Sequence, residues 1–450
     1  MSFASLKYKI WQWIKVNQTE VLIFSLAFGV RFIYGLAVLI FFGEHGFVSH
    51  SDAFSFYVRG AENLINQHIF SLNTNAPFMP DAYRTPLYTS LVALFLWLGL
   101  PLYCLIFTQN ILAGAVAVLV YRISNILFNN HRIGLWAAIL TSLEPLSWHW
   151  NNLIMSDFLF MFFFVWAMYK FFLKDYYWFA FLMGLATLTR PLSLYFFPLF
   201  ILAAAIDYCM AARCPADSRR QYFGHQAAGT LIKKFIIATL IFLAIIFPWM
   251  LRNKITFDTW QLTSAFWYNL YALVGRIFAE QNSIVAPMPT VPAGYPNPQN
   301  FIYDFVNVPF YQQHFFEIFF VNPLSYLKFH FMLSFQSLFV NYYDNFIQYV
   351  LMAKFPSLAL GFIGQAIYSL SNVLLGLWVI IYTLFALAFF DKRARLWWLV
   401  FASILFFIML THGVSGLYGL DGSRFFMPVA PFIFMFAAKA ITNIVNRSCK

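Results

Sequence analysis

Six short segments of this chain carry ionisable residues whose types and settings suit chemistry. His50-Ser51-Asp52 opens a polar stretch that runs to Tyr57, and Tyr83-Arg84-Thr85-Pro86-Leu87-Tyr88 follows it. Met155-Ser156-Asp157 stands where one apolar run begins, and Arg190-Pro191 where another ends. Arg252 closes Pro248-Trp249-Met250-Leu251, and Arg424 precedes Phe425-Phe426-Met427-Pro428. A carboxylate in such a place takes a proton from a hydroxyl or holds a metal ion. The planar fork of arginine makes paired, charge-assisted hydrogen bonds to a phosphate. Plainer roles stay open for every one of them. Asp52 and Asp157 are placed to cap helices. Arg190 is placed to snorkel at an interface, and Arg252, Arg84 and Arg424 to flank spans. Glu44, Asp81, Glu144, His149 and Asp421 read as ordinary loop polar groups.

The elements that must position these residues are membrane helices. The chain has 450 residues, of which 62% are hydrophobic and only 10% charged. Soluble domains carry about 25% charged residues, so a soluble enzyme, a disordered chain and a coiled coil are excluded. A net charge of +11 follows from basic cytoplasmic loops and does not call for nucleic acid. Cys104, Cys209, Cys214 and Cys449 form no metal-ligand pattern and no disulfide framework.

Apolar stretches run over 21–42, 86–124, 134–150, 156–173, 176–190, 191–207, 235–251, 366–390, 394–411 and 425–443. The first follows Lys7, Lys9 and Lys15 and is too long for a signal-peptide core, so it is read as a retained span. Basic residues between Asp207 and Lys234, and in Asp391-Lys392-Arg393-Ala394-Arg395, fix those loops as cytoplasmic. With residues 44–85 outside, the crossings from 86 to 208 must be odd in number. The stretch 86–124, broken by Gly99 and Pro101, therefore makes one net pass, and its first half is re-entrant or interfacial. Pro287, Pro289, Pro292, Pro296 and Pro298 mark an extended outer loop, and 326–350 an interfacial helix. The expectation is an all-α polytopic membrane protein of about ten spans, with a large outer first loop and both termini inside. Residues 1–255 form the transmembrane catalytic module with its first outer loop at 44–85. Residues 256–365 form an outer region with interfacial helices, and 366–450 the C-terminal spans.

The order of these segments resembles the GT-C superfamily of membrane glycosyltransferases. The branch concerned is the bacterial one (glycosyltransferase family 39) related to protein O-mannosyltransferases and to the lipid A aminoarabinose transferase. The segments that carry the resemblance are Ser51-Asp52 with Tyr57, Arg84-Thr85-Pro86-Leu87-Tyr88 and Met155-Ser156-Asp157. Gly184 to Pro191, Pro248-Trp249-Met250-Leu251-Arg252-Asn253 and Arg424 to Pro431 complete them. The resemblance implies a GT-C fold and inverting transfer of a sugar from a polyprenyl phosphate, such as undecaprenyl phosphate, to an acceptor hydroxyl. It implies that the reaction takes place at the periplasmic face of a bacterial inner membrane. It makes Asp52 and Asp157 catalytic, and Arg84, with Arg252, Arg190 and Arg424, the holders of the donor phosphate. Tyr57, Tyr83, Tyr88 and Asn269 then contact substrate. The acceptor is a lipid, a glycan or a protein, and the remaining partners are membrane lipids. Two departures bear on a metal: Ala53 follows Asp52 where many relatives have an acid, and Tyr83 precedes Arg84 where the aminoarabinose enzymes have one. A divalent cation, if one binds, has Asp52 and Asp157 for ligands. A multi-span transporter or glycolipid flippase is the competing reading; it needs charges or broken helices near the bilayer midplane.

Overall fold

A computed structural model describes residues 12, 14–212, 218–295, 300–336, 357, 361–389, 424 and 427–448. Among these, helices and turns account for all regular structure and no strand occurs. The expected apolar run 394–411, the basic cluster 391–395, Lys7, Lys9, Pro296, Pro298 and Asp421 lie outside the described residues.

The first span is α1, Gln18–Phe42. A 3-10 turn, Gly43–Val48, and a wide π-turn, Ala53–Val58, lead into the short α2, Arg59–Gln67. The apolar stretch after residue 85 is two helices rather than one. α3 is Pro86–Trp97, with proline in its first turn after an extended Thr85, where its fixed φ suits a helix start. Gly99 in the left-handed region (φ 69°) and Pro101 then separate it from α4, Leu102–Phe128. The next expected run is also divided. α5, His131–Leu143, stops at Glu144-Pro145, and α6, Pro145–Asn151, restarts at once. Proline cannot continue α5 but fits the first turn of α6. Glu144 supplies the cap, its carboxylate accepting from Leu146 N at 2.9 Å and Ser147 N at 2.6 Å.

α7, Ser156–Phe172, leaves α6 at an angle of 115°. α8, Tyr176–Thr189, packs on it, followed by α9, Ser193–Ala212, and the long α10, Ser218–Phe257. Beyond a short helix Ala265–Tyr268, a π-turn Asn269–Gly275 and Arg276–Gln281 comes a stretch without regular structure around Pro287, Pro289 and Pro292. Then follow α11, Val308–Val321, and α12, Pro323–Gln336. The described part of the expected interfacial helix is thus α12, and it begins three residues earlier than expected. α13, Phe362–Phe389, and α14, Ala430–Ser448, complete the chain.

By length and composition, α1, α4, α10 and α13 can each cross a bilayer, and the bent pair α6–α7 makes a fifth candidate. Described residues therefore supply four or five candidate spans against the ten expected. Part of the difference is length: the runs at 176–189, 193–209 and 430–446 fold as apolar helices of 10–17 residues, and a straight crossing needs about 20. The expected run 394–411 lies outside the described residues.

The core is aromatic and closely packed. Phe197 of α9 stacks on Phe242 of α10 with centroids 4.1 Å apart. Gly184 lets α8 approach α10, since a Cβ there would lie 2.8 Å from Ile245. Gly114 does the same between α4 and Phe24 of α1, where the distance would be 2.6 Å. Residues 270–333 have a separate core built on Tyr271, Val274, Phe278, Tyr311, Phe315 and Ile318.

One charge lies deep in this framework. Arg31 of α1 is 2% exposed. Its guanidinium donates to Ala27 O at 3.0 Å, Ser142 O at 3.1 Å, Thr141 O at 3.0 Å and Ser147 Oγ at 2.7 Å. Thr141 and Ser142 belong to the last turn of α5, where carbonyls have no helical partner. A cation is also favoured at that end of the helix dipole. Arg31 is thus a cap donated by a neighbouring helix.

Candidate functional site

Asp52 stands immediately before the π-turn Ala53–Val58, yet its side chain makes no cap hydrogen bond. The carboxylate faces two guanidiniums instead. Its Oδ2 accepts from Arg84 Nη2 at 2.8 Å and from Arg424 Nη1 at 3.0 Å. His50 completes the surround: its Nδ1 accepts from Asp52 N at 3.1 Å, and its Nε2 lies 3.5 Å from Arg424 Nη1. Three segments far apart in sequence thus converge on one oxygen.

Arg84 is held by its neighbours' rings as well as by charge. Its guanidinium carbon sits 4.5 Å from the ring centre of Phe56, 4.8 Å from that of Tyr83 and 5.7 Å from that of Tyr57. Such cation–π contacts strengthen as water is removed. The Nε of Arg84 is buried and has no hydrogen-bond partner among the described residues.

Asp157, in the first turn of α7, is 1% exposed and forms an ion pair with Arg190, which closes α8. The N-cap of α7 is Met155, so Asp157 is not a cap either. Just before it in sequence, Ser156 Oγ and Tyr57 Oη are 2.7 Å apart.

A cavity of about 310 Å³ opens beside these pairs, within the range of small-ligand sites, about 300–1,000 Å³. Its polar lining includes Tyr57, Tyr83, Arg84, Ser156, Arg190 and Asn269. The apolar part includes Leu192, Leu194, Phe266 and Trp267. Asp52, Asp157 and Arg424 do not line it; their arginine partners Arg84 and Arg190 do.

Two expected site residues point elsewhere. Tyr88 is fully buried, and its hydroxyl donates to Gln109 Oε1 at 2.8 Å. It belongs to the packing between α3 and α4. Arg252 donates to Asp81 O and to Asn253 Oδ1, each at 2.9 Å, and stacks on Trp249 and Phe257. It therefore braces the loop that carries Arg84 and does not itself reach the cavity. Asp81 Oδ1 in turn accepts from Tyr83 N at 2.8 Å. His50 carries no role in the sequence reading beyond its place in the segment with Asp52, and Tyr303 is not singled out there at all. Tyr303 packs on Tyr83 with centroids 4.3 Å apart, and nothing in its surrounding sequence marks it.

Electrostatics separate the acids. Burial pushes the Asp52 carboxyl up, but Arg84, Arg424 and His50 outweigh it and hold it well below the usual carboxylate range. Burial pushes Asp81 up to about 7; the Tyr83 backbone N–H opposes this and the nearby Asp304 adds to it.

The donor set does not suit a metal ion. Asp52 and Asp157 are each covered by guanidinium, and a cation binding there would have to displace them. Among the described residues no group of three or more His, Cys, Asp or Glu side chains converges. What the arrangement suits is an anion: among the described residues three guanidiniums, Arg84, Arg190 and Arg424, gather at two carboxylates. Compared with protein-family models, with curated proteins and with solved structures, the chain matches none.

Proposed function

We propose that the chain is an inverting glycosyltransferase of the GT-C type. It moves a sugar from a polyprenyl-phosphate donor to an acceptor hydroxyl at the periplasmic face of a bacterial inner membrane. This reading carries with it about ten spans, with the shorter apolar helices tilted or buried in the bundle. The observation that carries it is the meeting of Asp52, Arg84 and Arg424 beside a cavity with both arginine and apolar walls.

Each part has a task. The donor phosphate sits against Arg84 and Arg190, and the first units of its tail lie along Leu192, Leu194, Phe266 and Trp267. The acceptor oxygen attacks the anomeric carbon, and its proton passes to Asp52. The bond from that carbon to the phosphate oxygen breaks, and its electron pair leaves on the lipid phosphate. Arginines placed where that charge develops lower the barrier. A sugar–phosphate bond is already activated, so no nucleotide is needed.

A transporter would place its charges along a path through the bilayer. The buried charge within α1, Arg31, is tied to backbone carbonyls and Ser147, which supports a structural part for it. The test is direct. Purified protein is incubated with a synthetic polyprenyl-phosphate sugar and fractions of envelope lipid, glycan and protein. Release of polyprenyl phosphate together with a newly glycosylated acceptor is the expected result. Donor left intact with every fraction would sink the reading.

A further inference from the structure

As the protein stands, Asp52 is poorly placed to accept a proton. Its Oδ2 is already shared by Arg84 Nη2 and Arg424 Nη1. Arg84 lines the cavity and Asp52 does not, so the guanidinium stands between the carboxylate and the space where substrate would lie. Arg84 also has a buried Nε with no acceptor among the described residues. A base that is covered, and a cation that lacks a full set of acceptors, are complementary defects.

We infer that Asp52 is masked in the unliganded protein and that arrival of a phosphate monoester or diester in the cavity unmasks it. Arg84 exchanges the carboxylate for the phosphate oxygens. Its planar fork can present Nε and one Nη together to a phosphate, which satisfies the donor now left over. Arg424 and His50 stay beside Asp52 and keep it oriented. The carboxylate loses one of its two ion-pair partners and gains a neighbouring anion, and both changes raise its affinity for a proton. Basicity thus appears only when a leaving group is in place, and a water molecule entering the cavity meets a carboxylate still paired with both arginines.

The inference rests on the donor-phosphate reading above, and one titration separates the two. The probes are a ten-carbon prenyl monophosphate and inorganic phosphate, titrated calorimetrically into the purified full chain in detergent. If Asp52 competes with phosphate for Arg84, removing its charge strengthens binding. Asp52→Asn is expected to bind the prenyl phosphate about tenfold or more tightly than the wild type, which is about the worth of one charge-assisted hydrogen bond. Inorganic phosphate should show the same ratio at weaker absolute affinity, because the competition concerns the headgroup. Adding Arg84→Ala to Asp52→Asn should erase the gain. Asp52→Ala repeats the measurement should the amide disturb the turn, with size-exclusion and thermal-unfolding profiles as the check on folding. Equal or weaker binding by both Asp52 variants overturns the exchange. No binding by wild type or variants overturns both the exchange and the donor site. A tightened Asp52→Asn in a protein that transfers no sugar leaves the exchange standing and removes the transferase.

Discussion

Two buried arginine clusters in this protein look alike in composition and differ in what they can do. Around Arg31, every hydrogen bond described goes to a backbone carbonyl or to Ser147. The nearby acid, Glu144, is occupied in capping α6. Around Asp52, the partners of the arginines are side-chain carboxylates, and a cavity lies alongside. Carbonyls of a helix end cannot leave, so Arg31 has one arrangement. A carboxylate and a phosphate are interchangeable partners for guanidinium, so Arg84 has two. Burial of an arginine alone therefore says little about function; the mobility of its acceptors says more.

The sharpest way to break this contrast is at Asp52. Asp52→Asn keeps size and shape and should lower turnover by about 10²–10⁴-fold, with the unfolding profile unchanged. Retention of most of the wild-type rate in folded protein would take Asp52 out of the chemistry. Arg31→Met should do the reverse. It leaves Thr141 O at the end of α5 without its side-chain donor, at about 1–3 kcal/mol, while Ser142 O keeps Trp148 Nε1 at 2.9 Å. A lowered midpoint of thermal unfolding is expected, with unaltered affinity for donor in the protein that remains folded. Unchanged stability would show that Arg31 is not a cap.

A smaller effect is expected from Arg84→Ala. Loss of one charge-assisted hydrogen bond to phosphate weakens donor use by about 10- to 150-fold at low donor concentration. Arg84→Lys should recover part of this, since it keeps the charge without the fork. Arg252→Ala acts only through the loop at Asp81, so its effect on apparent donor affinity should be the lesser of the two in the same titration. The opposite order would move the phosphate towards Arg252.

The smallest effect concerns pH. Asp81 titrates at about 7 in the fold and near 3.9 in an unfolded chain. Between those values the folded state holds the extra proton, so stability falls as pH rises from about 4 to 7 and then levels. The groups around Asp81 are Asp304, Arg252, Arg84 and the Tyr83 N–H. Asp81→Asn should flatten the slope of the unfolding midpoint between pH 5 and 7, about two units of the window. A slope that persists would assign it to another group.

Much of this was legible in the sequence, and the limits are physical. Low charge and long apolar runs announce membrane helices, and α1, α4, α10 and α13 sit in runs identified that way. Of the runs near 134–150 and 86–124, the sequence marks the breaks with Pro145 and with Gly99 and Pro101. Whether a break bends a span or ends it depends on packing. Asp52, Arg84 and Arg424 were recognisable as unusual polar residues at the ends of apolar runs, and they do meet. Arg252 stands in such a place too, and Tyr88 belongs to a segment that carries the resemblance, yet both turn away, because residue type and spacing do not say which way a side chain points. Arg31 passed unremarked inside its run, since its partners are carbonyls contributed by α5, which leave no trace in residue identity.

The bond from Arg424 to Asp52 spans 372 positions. A ribosome adding about 5–20 residues per second needs roughly 20–75 s to cover that distance. Throughout that interval the nascent chain has Asp52 and Arg84 but lacks the second guanidinium, and the electrostatic surround of Asp52 is incomplete. Synthesis must therefore pass Arg424 before the pair with Asp52 exists. A chain cut short before Arg424 keeps most of its helices and has no finished site. Termination before Arg424 would leave the Asp52 carboxylate with Arg84 but without its second guanidinium.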